Sequence, residues 1–133
     1  MAEAKSHVET IDLIALETGS ELAVASTGVA YSKSIPWPHG SSFSIEYQFD
    51  SAAAVDVKVE IESGAARPTT ENVSDAAWAV GNTISSGITD EATHFSVPAP
   101  TVSPFCRLKL TGQGANAAST KLTKLKLHWI PAF

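Results

Sequence analysis

The sequence predicts an all-β protein, a single antiparallel β-sandwich of jelly-roll or immunoglobulin-like topology with about seven to nine strands. Several segments alternate apolar and polar residues, which is typical of half-buried strands. No long run has the three-to-four spacing of an amphipathic helix, and 133 residues suffice for one domain around one core. We therefore expect an N-terminal arm or first strand over 1–18 and one sandwich domain over 19–133.

The less regular segments set the number of strands. Weak alternation predicts strands at about 8–16, 21–25, 28–35 and 93–98, with a short one around 78–80. The segment PTTENVSDAAWAV is compatible with one helical turn before Trp78. Prolines fall at the proposed strand ends, where a missing N–H is tolerated: Pro36, Pro38, Pro68, Pro98, Pro100 and Pro104.

Two segments in the first half alternate most strictly. SSFSIEYQF places Phe43, Ile45, Tyr47 and Phe49 on one face, and VDVKVEIES places Val55, Val57, Val59 and Ile61 on one face. The polar residues of the second segment, Asp56, Lys58, Glu60 and Glu62, are expected on a solvated face. Because only 50–54 separate the two segments, they are predicted to form an antiparallel hairpin.

The last two strands flank a loop of small residues. FCRLKL places Cys106, Leu108 and Leu110 opposite Phe105, Arg107 and Lys109. The final apolar set, Leu122, Leu125, Leu127 and Trp129, breaks parity once, which predicts a β-bulge near Thr123 or Lys124. The intervening GQGANAAS is then a hairpin-like connection, with positive φ expected at Gly112, Gly114 or Asn116.

Composition and charge exclude several classes of function. A net charge of −5 with nine basic residues argues against nucleic-acid binding, which needs a denser positive field. Cys106 is the only cysteine, so neither a disulfide nor a multi-cysteine zinc site is expected, and it is interpreted as a small buried hydrophobe. The N-terminus lacks the apolar run of a secretory signal, and no window is long enough to span a membrane.

Catalytic and metal-binding patterns are weak. The four histidines at 7, 39, 94 and 128 do not form a metal pair such as H-E-x-x-H. Asp90, Glu91 and His94 could share a turn and hold a divalent ion, but the spacing of a calcium loop is missing and a surface turn is favoured. No G-x-S-x-G occurs, and the spacing of Glu60 and Glu62 follows from strand geometry. The chain is therefore predicted not to be an enzyme and to use no cofactor or metal.

The remaining candidates are surfaces for a partner. Trp37, held between two prolines, either anchors a partner or caps one end of the sandwich. The C-terminal WIPAF either folds back on its domain or docks on a neighbour. The small-residue loop allows neighbouring backbones to pack closely. The predicted partner-binding residues are Trp37, Trp129, Ile130, Phe133, Gly112, Gly114 and Asn116.

A family resemblance rests on the order of these segments. SIPWPHGSSFSIEYQFDS, then VDVKVEIESG, then a tryptophan-bearing loop, then PAPTVSPFCRLKLTGQGAN and a last alternating strand resemble the small β-sandwich virion proteins of tailed bacteriophages. The resemblance covers roughly residues 30–129 and includes an aromatic-x-Arg-Leu-x-Leu strand followed by a Gly/Asn-rich loop, formed by Phe105, Arg107, Leu108, Leu110, Gly112, Gly114 and Asn116.

The resemblance implies a non-enzymatic structural protein of the virion, a head-decoration or other auxiliary capsid or tail protein. Such a protein is made in the bacterial cytoplasm, forms a homo-oligomer, often a trimer, and binds a major capsid or other virion protein. The alternative is a carbohydrate-binding or host-receptor-binding sandwich of the tail that presents Trp37 or Trp78 to a glycan. Neither function involves nucleic acid or a membrane.

Overall fold

The computed structural model describes residues 8–14, 22–24, 27–36, 40–50, 55–68, 70, 73–89, 92–97, 104–114 and 120–131. Within these ranges the protein is all-β, without a helix, and every strand pairing is antiparallel, which confirms the predicted class. The strands are β1 (Glu9–Asp12), β2 (Leu22–Ala23), β3 (Val29–Tyr31), β4 (Ile35–Pro36), β5 (Gly40–Asp50), β6 (Val57–Gly64), β7 (Ala79–Ile88), β8 (Ala92–Val97), β9 (Phe105–Gly112) and β10 (Lys121–Pro131).

The strand order is that of a jelly roll. Sheet A has the order β1-β10-β5-β8, with β2 also paired to β10, and sheet B has the order β3-β9-β6-β7, with β4 also paired to β9. If β1 and β2 are counted as one interrupted strand, and β3 and β4 as another, eight strands remain. The first pairs with the eighth, the second with the seventh, the third with the sixth and the fourth with the fifth, as in a rolled-up hairpin. This order selects the jelly roll over the immunoglobulin-like alternative.

The two predicted hairpins are wrong. β5 pairs with β10 and β8 in sheet A, whereas β6 pairs with β7 and β9 in sheet B, so 51–54 connect the two sheets. The connection from β9 to β10 crosses between the sheets in the same way. Short connections favour hairpins only when both strands lie in one sheet, and the sequence of a strand does not reveal its sheet.

The predicted bulge in the last strand is confirmed. The register of β10 against β5 shifts between Leu122 and Lys124, so Thr123 is the additional residue. This shift keeps Leu122, Leu125 and Leu127 on the buried face.

Strand β7 is longer than the predicted segment at 78–80, because it extends from Ala79 to Ile88. Its register against β6 shifts three times, between Val57 and Val59, between Val59 and Glu60, and between Glu60 and Glu62. Each shift interrupts the period-two pattern by which a strand is recognised. Before β7 the structure has a turn, in which Trp78 N–H donates to the Asp75 carbonyl at 3.0 Å.

The core lies between the two sheets. The alternating residues of β5, β6, β9 and β10 supply most of it, and burial of each large apolar side chain stabilises the fold by about 1.5–3 kcal/mol. Cys106 is fully buried, as predicted, with its Sγ 3.9 Å from Ser63 Oγ. The buried cluster is Leu13, Val24, Ala30, Ile35, Phe43, Ile45, Tyr47, Phe49, Val55, Val57, Val59, Ile61, Ile88, Cys106, Leu108, Leu110, Leu122, Leu125 and Leu127.

Candidate functional site

The predicted partner-binding residues that the structure describes do not form one surface. Gly112 and Gly114 lie at the end of β9, close to where β10 begins, whereas Trp129 and Ile130 lie at the far end of β10. Eight residues of extended strand separate Lys121 from Trp129, which is about 26 Å at 3.3 Å per residue. Trp37, Asn116 and Phe133 lie outside the described residues.

The first surface is an apolar end of the sandwich, formed by Val8, Trp129, Ile130 and Pro131. β1 and β10 are adjacent here, with Glu9 opposite Trp129. Trp129 packs against the core and is only half-buried, as are Ile130 and Pro131, while Val8 is 61% exposed. We call these four residues the apolar end.

The second surface is the corner at the end of β9, which is held by hydrogen bonds. Gly112 N–H donates to the Gly28 carbonyl at 2.9 Å, and Gln113 N–H donates to the Asp56 carbonyl at 3.0 Å. The side-chain amide of Gln113 also donates, through Nε2, to Asp56 Oδ1 and to the Ser86 carbonyl, both at 2.8 Å. Gly114 has φ +91°, which confirms a positive φ in this loop. The corner therefore ties β9 to neighbouring segments of its own domain.

The outer face of sheet A carries a chain of four polar side chains. Thr10 Oγ1 lies 2.7 Å from His128 Nδ1, and His128 Nε2 lies 3.0 Å from Glu46 Oε1. Lys124 Nζ lies 3.2 Å from Glu46 Oε2. β1, β10 and β5 each contribute, because Thr10 is directly opposite His128 and Glu46 is opposite Lys126. Sequence reasoning missed this chain, whose members are distant in sequence.

The order hydroxyl, imidazole, carboxylate is also that of a catalytic triad. Acyl transfer additionally needs hydrogen-bond donors for the oxyanion. His128 pairs with Thr10 of β1 on one side and with Ser44 of β5 on the other. The Thr10–His128 and His128–Glu46 contacts join β1, β10 and β5, so we expect them to act as a structural clamp.

Replacing His128 with alanine is expected to destabilise the protein by about 1–3 kcal/mol, because two hydrogen bonds of about 0.5–1.5 kcal/mol each are lost. Urea denaturation measures the change. Lys124→Ala is the control, since a partly exposed ion pair contributes about 0–1 kcal/mol. Equal effects of the two substitutions would contradict the clamp.

The outer face of sheet B carries a buried ion pair where a solvated face was predicted. Arg107 and Glu62 are opposite each other on β9 and β6, and only 1% and 5% of them is exposed. Arg107 Nε donates to Glu62 Oε1 at 2.7 Å, and Nη2 lies 2.6 Å from the same oxygen as an ion pair. The guanidinium carbon lies 4.1 Å from the Tyr31 ring centroid and 4.8 Å from that of Trp78. The two rings therefore exclude water from the pair.

Trp78, one of the two tryptophans proposed to present a ring to a glycan, is 7% exposed. Its indole covers Gly64, so that a Cβ at Gly64 would overlap the ring. In this position the ring packs against the Arg107 guanidinium and is not available as an exposed platform for a glycan. The sequence alone did not indicate this burial.

The candidate ion site at Asp90, Glu91 and His94, for which a surface turn was favoured, stays untested. Asp90 and Glu91 lie outside the described residues, as does the side chain of His94. Among the side chains that the structure does describe, no group of three or more histidines, cysteines and carboxylates is placed to hold a metal ion. The described part of the chain also contains no helix that is long and apolar enough to cross a membrane.

No protein-family model matches the chain, and no curated protein has significant similarity to it.

Proposed function

We propose that the protein is a non-enzymatic structural component of a virion, an auxiliary or decoration protein that associates with copies of itself and binds a capsid or other virion protein. Its resemblance to small virion proteins of tailed bacteriophages motivates the proposal. The strand order supports it by analogy, since viral capsid domains are among the proteins that use the jelly roll. Because lectin domains use it too, the function of this jelly roll depends on a particular surface.

The observation that carries the proposal is the apolar end. Val8 is 61% exposed, and Trp129, Ile130 and Pro131 beside it are half-buried. Trp129 packs against the core, so the apolar side chains that this end leaves for contact with another protein are Val8 and Ile130, and covering them removes apolar area from water. We propose that this end contacts the particle.

The test is the addition of the purified chain to virions that lack it. Val8→Glu and Ile130→Glu are each expected to weaken binding at least about tenfold, because each places a charge in the contact. Val73→Glu is the matched control, since Val73 is an exposed valine (49%) in the connection between β6 and β7. Thermal unfolding of each variant establishes that it is folded.

Two results would contradict the proposal. Equal binding by the three variants would exclude the apolar end, and failure of the unmodified chain to bind would exclude the virion role. Glycan-array binding that is lost in Trp37→Ala would instead favour the carbohydrate-binding alternative.

A further inference from the structure

The edge strands of the two sheets differ in regularity. β8 forms one edge of sheet A and pairs with β5 over six consecutive residues, from Phe43 opposite Val97 to Gln48 opposite Ala92, without a register shift. In the described part of the chain no strand lies on its other side. A regular edge presents a row of backbone N–H and C=O groups that another strand can pair with.

The other edges carry features that oppose pairing. β1 has four residues, including Glu9 and Asp12. β3 and β4 are short, Pro36 lacks an N–H, and the carbonyl between them at Ser34 accepts from Arg67 Nη1 at 2.9 Å. β7 is longer, but its three register shifts twist it away from a regular ladder. Charge, proline and bulges are the usual devices that protect an edge, and β8 has none of the three.

The composition of β8 also suits pairing with itself. The strand reads ATHFSV, with no Asp, Glu, Lys, Arg or Pro, and Thr, Phe and Val favour extended structure. In an antiparallel pair about a twofold axis, each strand meets a second copy of its own sequence. A strand with fixed charges would meet like charges there, as β1 would with its two acidic residues. With neutral histidine, β8 would not.

We propose that β8 pairs antiparallel with β8 of a second copy of this chain, so that the two copies of sheet A form one continuous sheet. The inference rests on the proposed function in one respect, since it assigns the contact between copies that a self-associating virion protein needs. Pairing of six residues covers less than the roughly 800 Å² per partner of a standard interface. We therefore expect a weak dimer, with Kd on the order of micromolar.

The test uses charges of opposite sign on β8. Ala92 and Ser96 are replaced together by lysine in one variant and by glutamate in a second. These two positions are chosen because Gln48, opposite Ala92 on β5, is exposed, and Ser44, opposite Ser96, is half-buried. Val80→Lys with Thr83→Lys on exposed positions of β7 is the matched control. Sedimentation velocity across a concentration series gives Kd for each protein and for an equimolar mixture of the two β8 variants.

The expected result is a dimer for the unmodified chain and for the β7 control. Each β8 variant alone should dimerise at least about tenfold more weakly, and the mixture should form a heterodimer. A monomeric unmodified chain, or β8 variants that dimerise like the control, would overturn the inference. Particle binding is measured separately: variants that stay monomeric yet still add to virions would support the binding role of the proposed function and contradict its self-association.

Discussion

Replacing Glu62 with alanine is expected to lower the free energy of unfolding by about 3–5 kcal/mol, because it leaves the buried Arg107 guanidinium without its counter-charge. Arg107 is enclosed by Tyr31 and Trp78, and its side chain is fully buried. Its Nη1 has no hydrogen-bond partner in the described structure even with Glu62 present. Chemical denaturation followed by circular dichroism gives the change.

Glu60→Ala is the matched control on the same strand. Glu60 pairs with Lys58 at 3.5 Å, and because Lys58 is 38% exposed the pair should contribute about 0–1 kcal/mol. The double replacement Glu62→Leu with Arg107→Met should be much less destabilising than Glu62→Ala, because no charge is then buried. An effect of Glu62→Ala as small as that of Glu60→Ala would show that the guanidinium finds another partner.

Replacing Gly64 with alanine is expected to destabilise the fold by about 1–3 kcal/mol through overpacking. The added Cβ would lie 2.7 Å from Trp78 Nε1 and overlap the rest of the indole, so the ring must move. Because the ring also covers Arg107, its displacement would admit water to the ion pair. Thermal unfolding measures the loss, and Ser63→Ala, at the neighbouring position, should cost less than about 1 kcal/mol.

A double-mutant cycle separates overpacking from any intrinsic effect of alanine at position 64. In a Trp78→Ala background the substitution Gly64→Ala should cost little, because the atoms that it would overlap are absent. The same cost in both backgrounds would mean that the contact with Trp78 is not the cause.

The sequence was sufficient for strands that keep period two over most of their length. β5, β6, β9 and β10 were recognised from period two alone, and the parity break at Thr123 located a real bulge. β7 was mostly missed for the same physical reason, since three bulges in ten residues remove the period. Local pattern therefore predicts a strand where most of its own residues keep period two.

Pairing partners and buried polar groups were beyond the sequence. β5 and β6 are neighbours in the chain but belong to different sheets, so proximity gave the wrong partner. Glu62 and Arg107 occupy polar positions of otherwise regular strands, and their burial depends on Tyr31 and Trp78 from other segments. Likewise the contacts among the side chains of Thr10, His128, Glu46 and Lys124 exist only once β1, β10 and β5 are side by side.

The position of β10 between β5 on one side and β1 and β2 on the other has a consequence for biosynthesis. β10 follows its partners β1, β2 and β5 in the sequence. During translation these three strands are therefore synthesised before the strand with which they pair. Until 121–131 emerge, β1 and β5 lack the strand that pairs with both of them. Sheet A is therefore completed only after synthesis of its last strand, and a nascent chain stalled before that strand should be held by chaperones as unfolded.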